Sequence, residues 1–336
     1  MDKQGRIETA FVSNSGDVLP GAMVLELSGV PCSVFCVGER MEDVGKGIFS
    51  DVWAAKSLDN FDLVRRLVEC PGYHTIVTDM WDISSLQFHL KETQRIIGTC
   101  TGMLEINTNQ LLAQGLLQDH GLTIGEEPPN DKCVFVGGMA TTDGMMLMAV
   151  VDVWRAQTVG GTKLVQWSLA LERNITVANS IVETLRDITT ELSYEGPVWI
   201  ISSTDNVPWT IRLGWGSGPD VIWTERERNG GLSDEVSGAV RVSTEQVVYP
   251  LLDSTPAAFR HIHLLRPVLK GGLVLGLGPT LGYVTAHGRD TGEVCRRLGR
   301  TLNRQFSGSQ VVWRRDFREQ FIQQVSVVQD TIPALD

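Results

Sequence analysis

Residues 176–224 constrain the fold most. Val177, Ile181, Leu185, Ile188 and Leu192 recur at helical spacing, so a helix over 176–192 carries one apolar face that must be buried. The next stretch, YEGPVWIISSTDNVPWTIRLGWGSGPDVIWT, predicts two apolar strands, 198–203 and 209–215, joined by a turn at Thr204, Asp205 and Asn206. A glycine-rich exit follows. A helix that runs straight into a hairpin needs a sheet to pack on, with the hairpin at its centre. The exit loop is then expected to border any active site.

The first hundred residues predict an open α/β sheet. IETAFVS reads as a strand, NSGD as a loop, VLPGAMVLELSG as a helix and VPCSVFCVG as a strand buried on both faces. Leu19, Met23 and Leu27 repeat every four residues and are expected to face the sheet. Ligands of open α/β sheets bind at the carboxyl ends of the strands, where helix-start N–H groups welcome anions, so Ser13, Ser15, Gly16 and Asp17 are candidate ligand-binding residues. The competing reading is a tight turn with Asp17 as helix N-cap. Further on, 59–68 predicts a helix, 74–78 a strand, 84–91 a helix and 93–98 a strand. Asp79 and Asp82, just past 74–78, are candidates to hold a ligand hydroxyl or amine.

A single helix is expected over 102–121, with Leu104, Leu111, Leu112 and Leu116 on its apolar side and Gly121 as its stop. Antiparallel strands 133–136 and 145–153 follow, with a turn at 142–144, and the methionines between 139 and 148 read as core filler. Beyond the hairpin, 240–249 has β character and 257–265 reads as an apolar helix. The final part predicts strands 273–277, 282–287 and 310–314 and a helix over 291–305. His261 and His263, two apart on a helix, would point about 200° apart and make no metal pair.

With 40 acidic against 29 basic residues, the net charge of −11 opposes nucleic-acid binding, which needs a basic face. Six cysteines without a CxxC suit buried free thiols in a reducing compartment. The first residues lack the pattern of a signal peptide, and no apolar run approaches the roughly 20 residues that span a bilayer. These features predict a cytoplasmic protein with no membrane partner. GxxxxGK[ST], GxSxG and HExxH are all missing from the sequence.

The order of parts resembles glycinamide ribonucleotide synthetase of the ATP-grasp superfamily. The likeness rests on Ile96-Ile97-Gly98 before a helix, on Gly121-Leu122-Thr123 after it, and on Tyr194-x-Gly196 opening the hairpin. It extends to the terminal unit from Gly282 to Glu319. It implies an α/β chain: a Rossmann-like domain over 1–100, a reduced antiparallel ATP-grasp-like core over 101–270, a small α+β unit over 271–320 and a tail over 321–336. The family's second hairpin strand carries E-x-N-x-R-x-G, whose Glu and Asn bind the ATP-bound metal. Those two positions are Arg212 and Gly214 here, and the family's substrate-binding Arg falls at Gly216. The family's nucleotide lid would lie between Glu126 and Cys133, where only a few residues stand.

The resemblance therefore implies a degenerate protein that has lost ATP-dependent ligation. It would act in binding or assembly, as a homo-oligomer or beside a paralogous partner. The alternative is a divergent carboxylate–amine ligase or nucleotide-binding enzyme using ATP and magnesium, with Asp205, Asp220 or Glu225 as substitute ligands and Gly216 and Gly218 in its binding loop. A structural component, such as a phage protein, is the third reading.

Overall fold

The computed structural model describes residues 9–306 except 40, 58–61, 63–64, 68–72, 83–93, 130–131, 156–166, 229–234, 244–260, 271–272 and 277–279. The predicted helix 84–91 and strand 310–314 lie outside the described residues. So does most of the predicted helix 59–68, of which Asp62 and Arg65 to Leu67 are described as helical.

The opening is β1 (Thr9–Ser13), α1 (Leu19–Leu27) and β2 (Cys32–Val37), followed by β3 (Asp51–Ala55), β4 (Thr75–Thr78) and β5 (Arg95–Ile97). These strands pair in parallel in the order β3-β2-β1-β4-β5. Every residue of β2 is buried, because apolar layers cover both faces of the sheet: Phe35, Leu67 and Ile76 on one side, Leu19, Val34 and Cys36 on the other. Leu19 packs as expected, but Leu27 is exposed, and in the last turn of α1 it is Leu25 that packs against the core. The edge strand β3 was not foreseen, as its exposed central residues give no apolar alternation.

Two helices stand where the sequence predicted one: α2 (Met103–Thr108) and α3 (Gln110–Asp119). Asn109 takes an extended conformation between them, and its side chain accepts hydrogen bonds from the N–H groups of Leu111 and Leu112, at 3.1 and 3.4 Å. An N-cap therefore breaks the run and rotates the second half. Met103, Ile106, Ala113 and Leu117 form the buried face, leaving Leu104, Leu111 and Leu112 exposed, contrary to the single-helix pattern. Gly121 ends α3 in a left-handed conformation.

The second sheet is antiparallel, with the order β10-β9-β6-β7-β8-β11-β15-β12. Its strands are β6 (Lys132–Thr141), β7 (Gly144–Arg155), β8 (Trp167–Glu172), β9 (Gly196–Ser202), β10 (Pro208–Leu213), β11 (Val236–Ser243), β12 (Ile262–Leu264) and β15 (Thr280–Gly288). A separate hairpin joins β13 (Pro267–Lys270) to β14 (Leu273–Gly276). The predicted hairpin is β9–β10, but β10 is an edge strand rather than central. Amphipathic α4 (Asn179–Glu191) buries Leu185 and Ile188 and leads into it. Met139, Met145 and Met148 fill gaps beside the core, while Met146 is exposed.

Further elements differ from expectation. β8 and β13 were not foreseen, and α5 (Val221–Arg228) follows the exit loop. The strand predicted over 240–249 is β11 at Val236–Ser243 where described, and the predicted helix 257–265 is strand β12 where described. Pairing of β12 with β15 decides the last case: Ile262, His263 and Leu264 stand opposite Val284, Tyr283 and Gly282. A short apolar run is ambiguous until a neighbouring strand claims it. His263 therefore sits in a strand, with His261 just before it, and the helical geometry expected for the pair does not apply. His263 contacts the Thr285 hydroxyl at 3.0 Å, and the His261 and His287 rings lie 6.4 Å apart. The last helix, α6 (Thr291–Phe306), packs Val294, Cys295 and Leu298 against this end of the sheet.

Candidate functional site

The strand order of the parallel sheet reverses between β1 and β4, so the loops after Ser13 and Thr78 flank the crevice where such sheets bind ligands. Asp79, buried at the end of β4, reaches across it. Its carboxylate accepts from Ser13 Oγ at 2.6 Å and from the backbone N–H groups of Asn14, Gly16 and Val18 at 2.9, 3.1 and 3.4 Å. Asp79 thus satisfies the donors of the loop that leads into α1, and Asp17 is not the cap: the helix N-cap is Val18, with no side-chain bond of its own. Asp17 instead turns outward, where its carboxylate accepts from Ser15 Oγ at 2.6 Å and from the Tyr283 hydroxyl at 3.3 Å.

The loop is clamped from above as well. Gly16 has φ +96°, and a Cβ there would stand 2.0 Å from the Leu265 carbonyl oxygen. Arg266 Nε donates to the Ser15 carbonyl at 3.0 Å.

The exit loop of the hairpin meets this loop face to face. A Cβ on Gly216 would stand 2.4 Å from Asp17 Oδ2, and one on Gly218 would stand 2.6 Å from the Trp199 indole, so both glycines allow close approach. Asp220 ties the loop together: it accepts from Gly216 N at 2.8 Å and from Trp199 Nε1. Trp199 is fully buried and stacks on Trp223 at 4.6 Å. The Tyr194-x-Gly196 pair has an equally direct role. The Tyr194 hydroxyl donates to the Pro197 carbonyl at 2.7 Å and accepts from Gly214 N at 2.8 Å. A Cβ on Gly196 would collide with that hydroxyl and with Gly98, whose N–H donates to the Glu195 carbonyl at 2.7 Å.

Between the two loops lies a cleft of about 70 Å³, walled by Phe11, Asp17, Trp215, Asp220, Val221 and Tyr283. Burial pushes the Asp220 carboxyl up to about 8, with Asp17 adding to the shift and the bonds from Trp199 and Gly216 opposing it. Burial, then Asp17, raises Asp79, while Ser13 and Asn14 counteract. Burial also holds the Tyr283 phenol above its ordinary range. The Trp215 indole N–H is buried with no partner among the described residues.

Of the residues singled out from sequence, Asp17, Gly216, Gly218 and Asp220 line the cleft. Ser13, Ser15 and Gly16 belong to the loop beside it, and Asp79 fills that loop from the end of β4. Asp82 is exposed outside it, and Asp205 sits exposed in the turn at the opposite end of β10. The side chain of Glu225 lies outside the described residues. Sequence reasoning missed Trp215 and Tyr283. Tyr283 lies in a strand far along the chain, and only pairing of β15 with β11 and β12 brings it to the first loop.

Magnesium takes oxygen ligands, and the resemblance drawn from sequence would set them at position 212 of β10 and position 214 just beyond it. Arg212 is half-buried there on the face shared with Trp199, its Nη1 donating to the Ile211 carbonyl at 3.3 Å, and burial lowers its pKa. A Cβ on Gly214 would stand 2.1 Å from Met103 Cε, so packing fills the second position. A cation and a methyl group do not fit a divalent metal. Among the described residues, no group of three or more His, Cys, Asp or Glu is arranged to hold one. No described helix is long and apolar enough to cross a membrane.

No family model and no curated relative matches the chain by sequence. Solved structures do match by shape. Biotin carboxylase of Campylobacter jejuni, solved as a β-γ-ATP complex, aligns with a TM-score of 0.66 at 10% identity, covering 97% of each chain. An L-amino acid ligase from Bacillus licheniformis aligns at 0.52 and 13% identity, over 90% of this chain and 98% of that one. The multifunctional pyruvate carboxylase of Rhizobium etli aligns at 0.59 and 12% identity over 89% of this chain; the match spans only 37% of that protein. At such identities the likeness speaks for architecture: the chain has the mixed parallel and antiparallel α/β fold of ATP-grasp enzymes.

Proposed function

We propose that this chain is an ATP-grasp-like protein that has given up ATP-dependent ligation and binds a small ligand in the cleft between Asp17 and Asp220. The carrying observation is Arg212, a half-buried cation on the strand where, by the resemblance, a metal ligand should stand. Placing Mg²⁺ beside it would add like-charge repulsion in a poorly solvated site. The short 120–131 segment between α3 and β6 supports the same reading, because it leaves no room for a lid subdomain there. The finer likeness, to glycinamide ribonucleotide synthetase, is supported by the roles of Gly98, Tyr194 and Gly196 at the junction of the two sheets.

Calorimetry with Mg-ATP, paired with ADP release over a panel of amino acids and amines, tests the proposal. We expect neither micromolar binding nor turnover. Micromolar Mg-ATP binding that is lost on changes in 205–225, or ADP release with any amine, would overturn it. The second reading, a divergent carboxylate–amine ligase, draws on the full-length likeness to the amino acid ligase and makes the opposite forecast in the same assay. An assembly role as a homo-oligomer or with a partner is tested by light scattering, where a strictly monomeric mass counts against self-association.

A further inference from the structure

We infer that Asp79 is the built-in occupant of the anion-binding loop at the sheet's switch point, and that it makes the cleft selective for ligands without a phosphoryl group. The inference rests on reading the cleft as a ligand site. A loop after the first strand of an open α/β sheet presents converging N–H groups that suit phosphate. Here those donors are already engaged. Ser13 Oγ and the N–H groups of Gly16 and Val18 converge on Asp79 Oδ2, and the Asn14 N–H meets Oδ1.

Each of these contacts comes from a donor, so the loop accommodates the carboxylate rather than the acid. Asp79 is only 4% exposed and belongs to a different strand from the loop, so it cannot swing aside like a surface side chain. Leu265 and Arg266 hold the loop from the other side, which prevents it from opening outward to make a second nest. A phosphoryl group entering the cleft would meet the Asp17 carboxylate and Val18, whose N–H is already engaged by Asp79, and the remaining donors of the adjoining loop are filled as well.

The test is titration of inorganic phosphate and of pyrophosphate, read on the backbone amide resonances of Asn14, Gly16 and Val18. Wild-type protein should show no saturable shift up to tens of millimolar. Asp79→Ala should bind phosphate at least tenfold more tightly, with the shifts centred on those amides. Asp79→Asn, nearly isosteric, serves if the alanine variant fails to fold, and it should gain affinity in the same direction. Saturable wild-type shifts at these amides overturn the inference, as do folded variants that bind no better than wild type. Should neither variant fold, the wild-type titration decides alone. The readout does not depend on ATP turnover, so a chain that proved to be a ligase would refute the proposed function and leave this result standing.

Discussion

The protonation of Asp220 provides a quantitative test of the cleft. Its carboxyl is pushed by burial to about 8 from an ordinary 3.8. Between those values the folded chain keeps a proton that the unfolded chain has released, so stability falls as pH rises through the interval and levels off above about 8. At about 1.4 kcal/mol per pH unit, going from pH 5 to pH 8 removes on the order of 4 kcal/mol through this group. Asp220→Asn mimics the neutral acid and abolishes its titration. Its amide can accept from either Trp199 Nε1 or Gly216 N but sets an NH₂ against the other, at a cost of about 1–3 kcal/mol. The variant should therefore be less stable than wild type at pH 5 and show a distinctly shallower decline toward pH 8. Asp79, raised by burial and then by Asp17, contributes a dependence of the same sign wherever it titrates, and the substitution at 220 leaves that in place. Urea denaturation between pH 5 and 9 measures the two slopes, and the Trp199 indole N–H resonance reports the local titration. Equal slopes, or an indole resonance that does not move between pH 6 and 9, would refute the reasoning.

Two further outcomes follow from geometry. Gly16→Ala combines a left-handed φ with a Cβ 2.0 Å from a backbone oxygen, so it should cost more than about 2 kcal/mol. Gly121→Ala, whose φ is +83° but whose Cβ meets nothing within 4 Å, should cost only about 1 kcal/mol, and thermal melts of the two separate strain from collision. Cys32, Cys36, Cys100 and Cys295 are buried, which pushes the first two thiols up to about 12 and the others to about 11. At pH 8 these four should resist iodoacetamide in the native protein and react in urea, as peptide mass spectrometry would show; rapid native alkylation would count against their burial.

Local pattern carried the sequence reading where an element's own periodicity matched its environment. The helix 176–192, the hairpin after it and the apolar β2 were legible because burial on one or both faces writes itself into residue spacing. The reading failed where a neighbour made the choice. Asn109 reads as an ordinary polar residue inside a helical run until its side chain caps the next turn. Ile262, His263 and Leu264 become a strand because β15 pairs with them.

The same division runs through the site. Sequence alone placed a short loop at Ser13–Asp17 and a glycine-rich exit after β10, because each is a matter of residue type and spacing, and the family resemblance set Arg212 where a metal ligand was expected. Only the tertiary structure decided that Asp79 fills the first loop, that Asp17 faces Gly216 across a cleft, and that Tyr283 closes it. Those contacts join residues from 61 to 266 positions apart, and such separations leave no periodic trace along a chain.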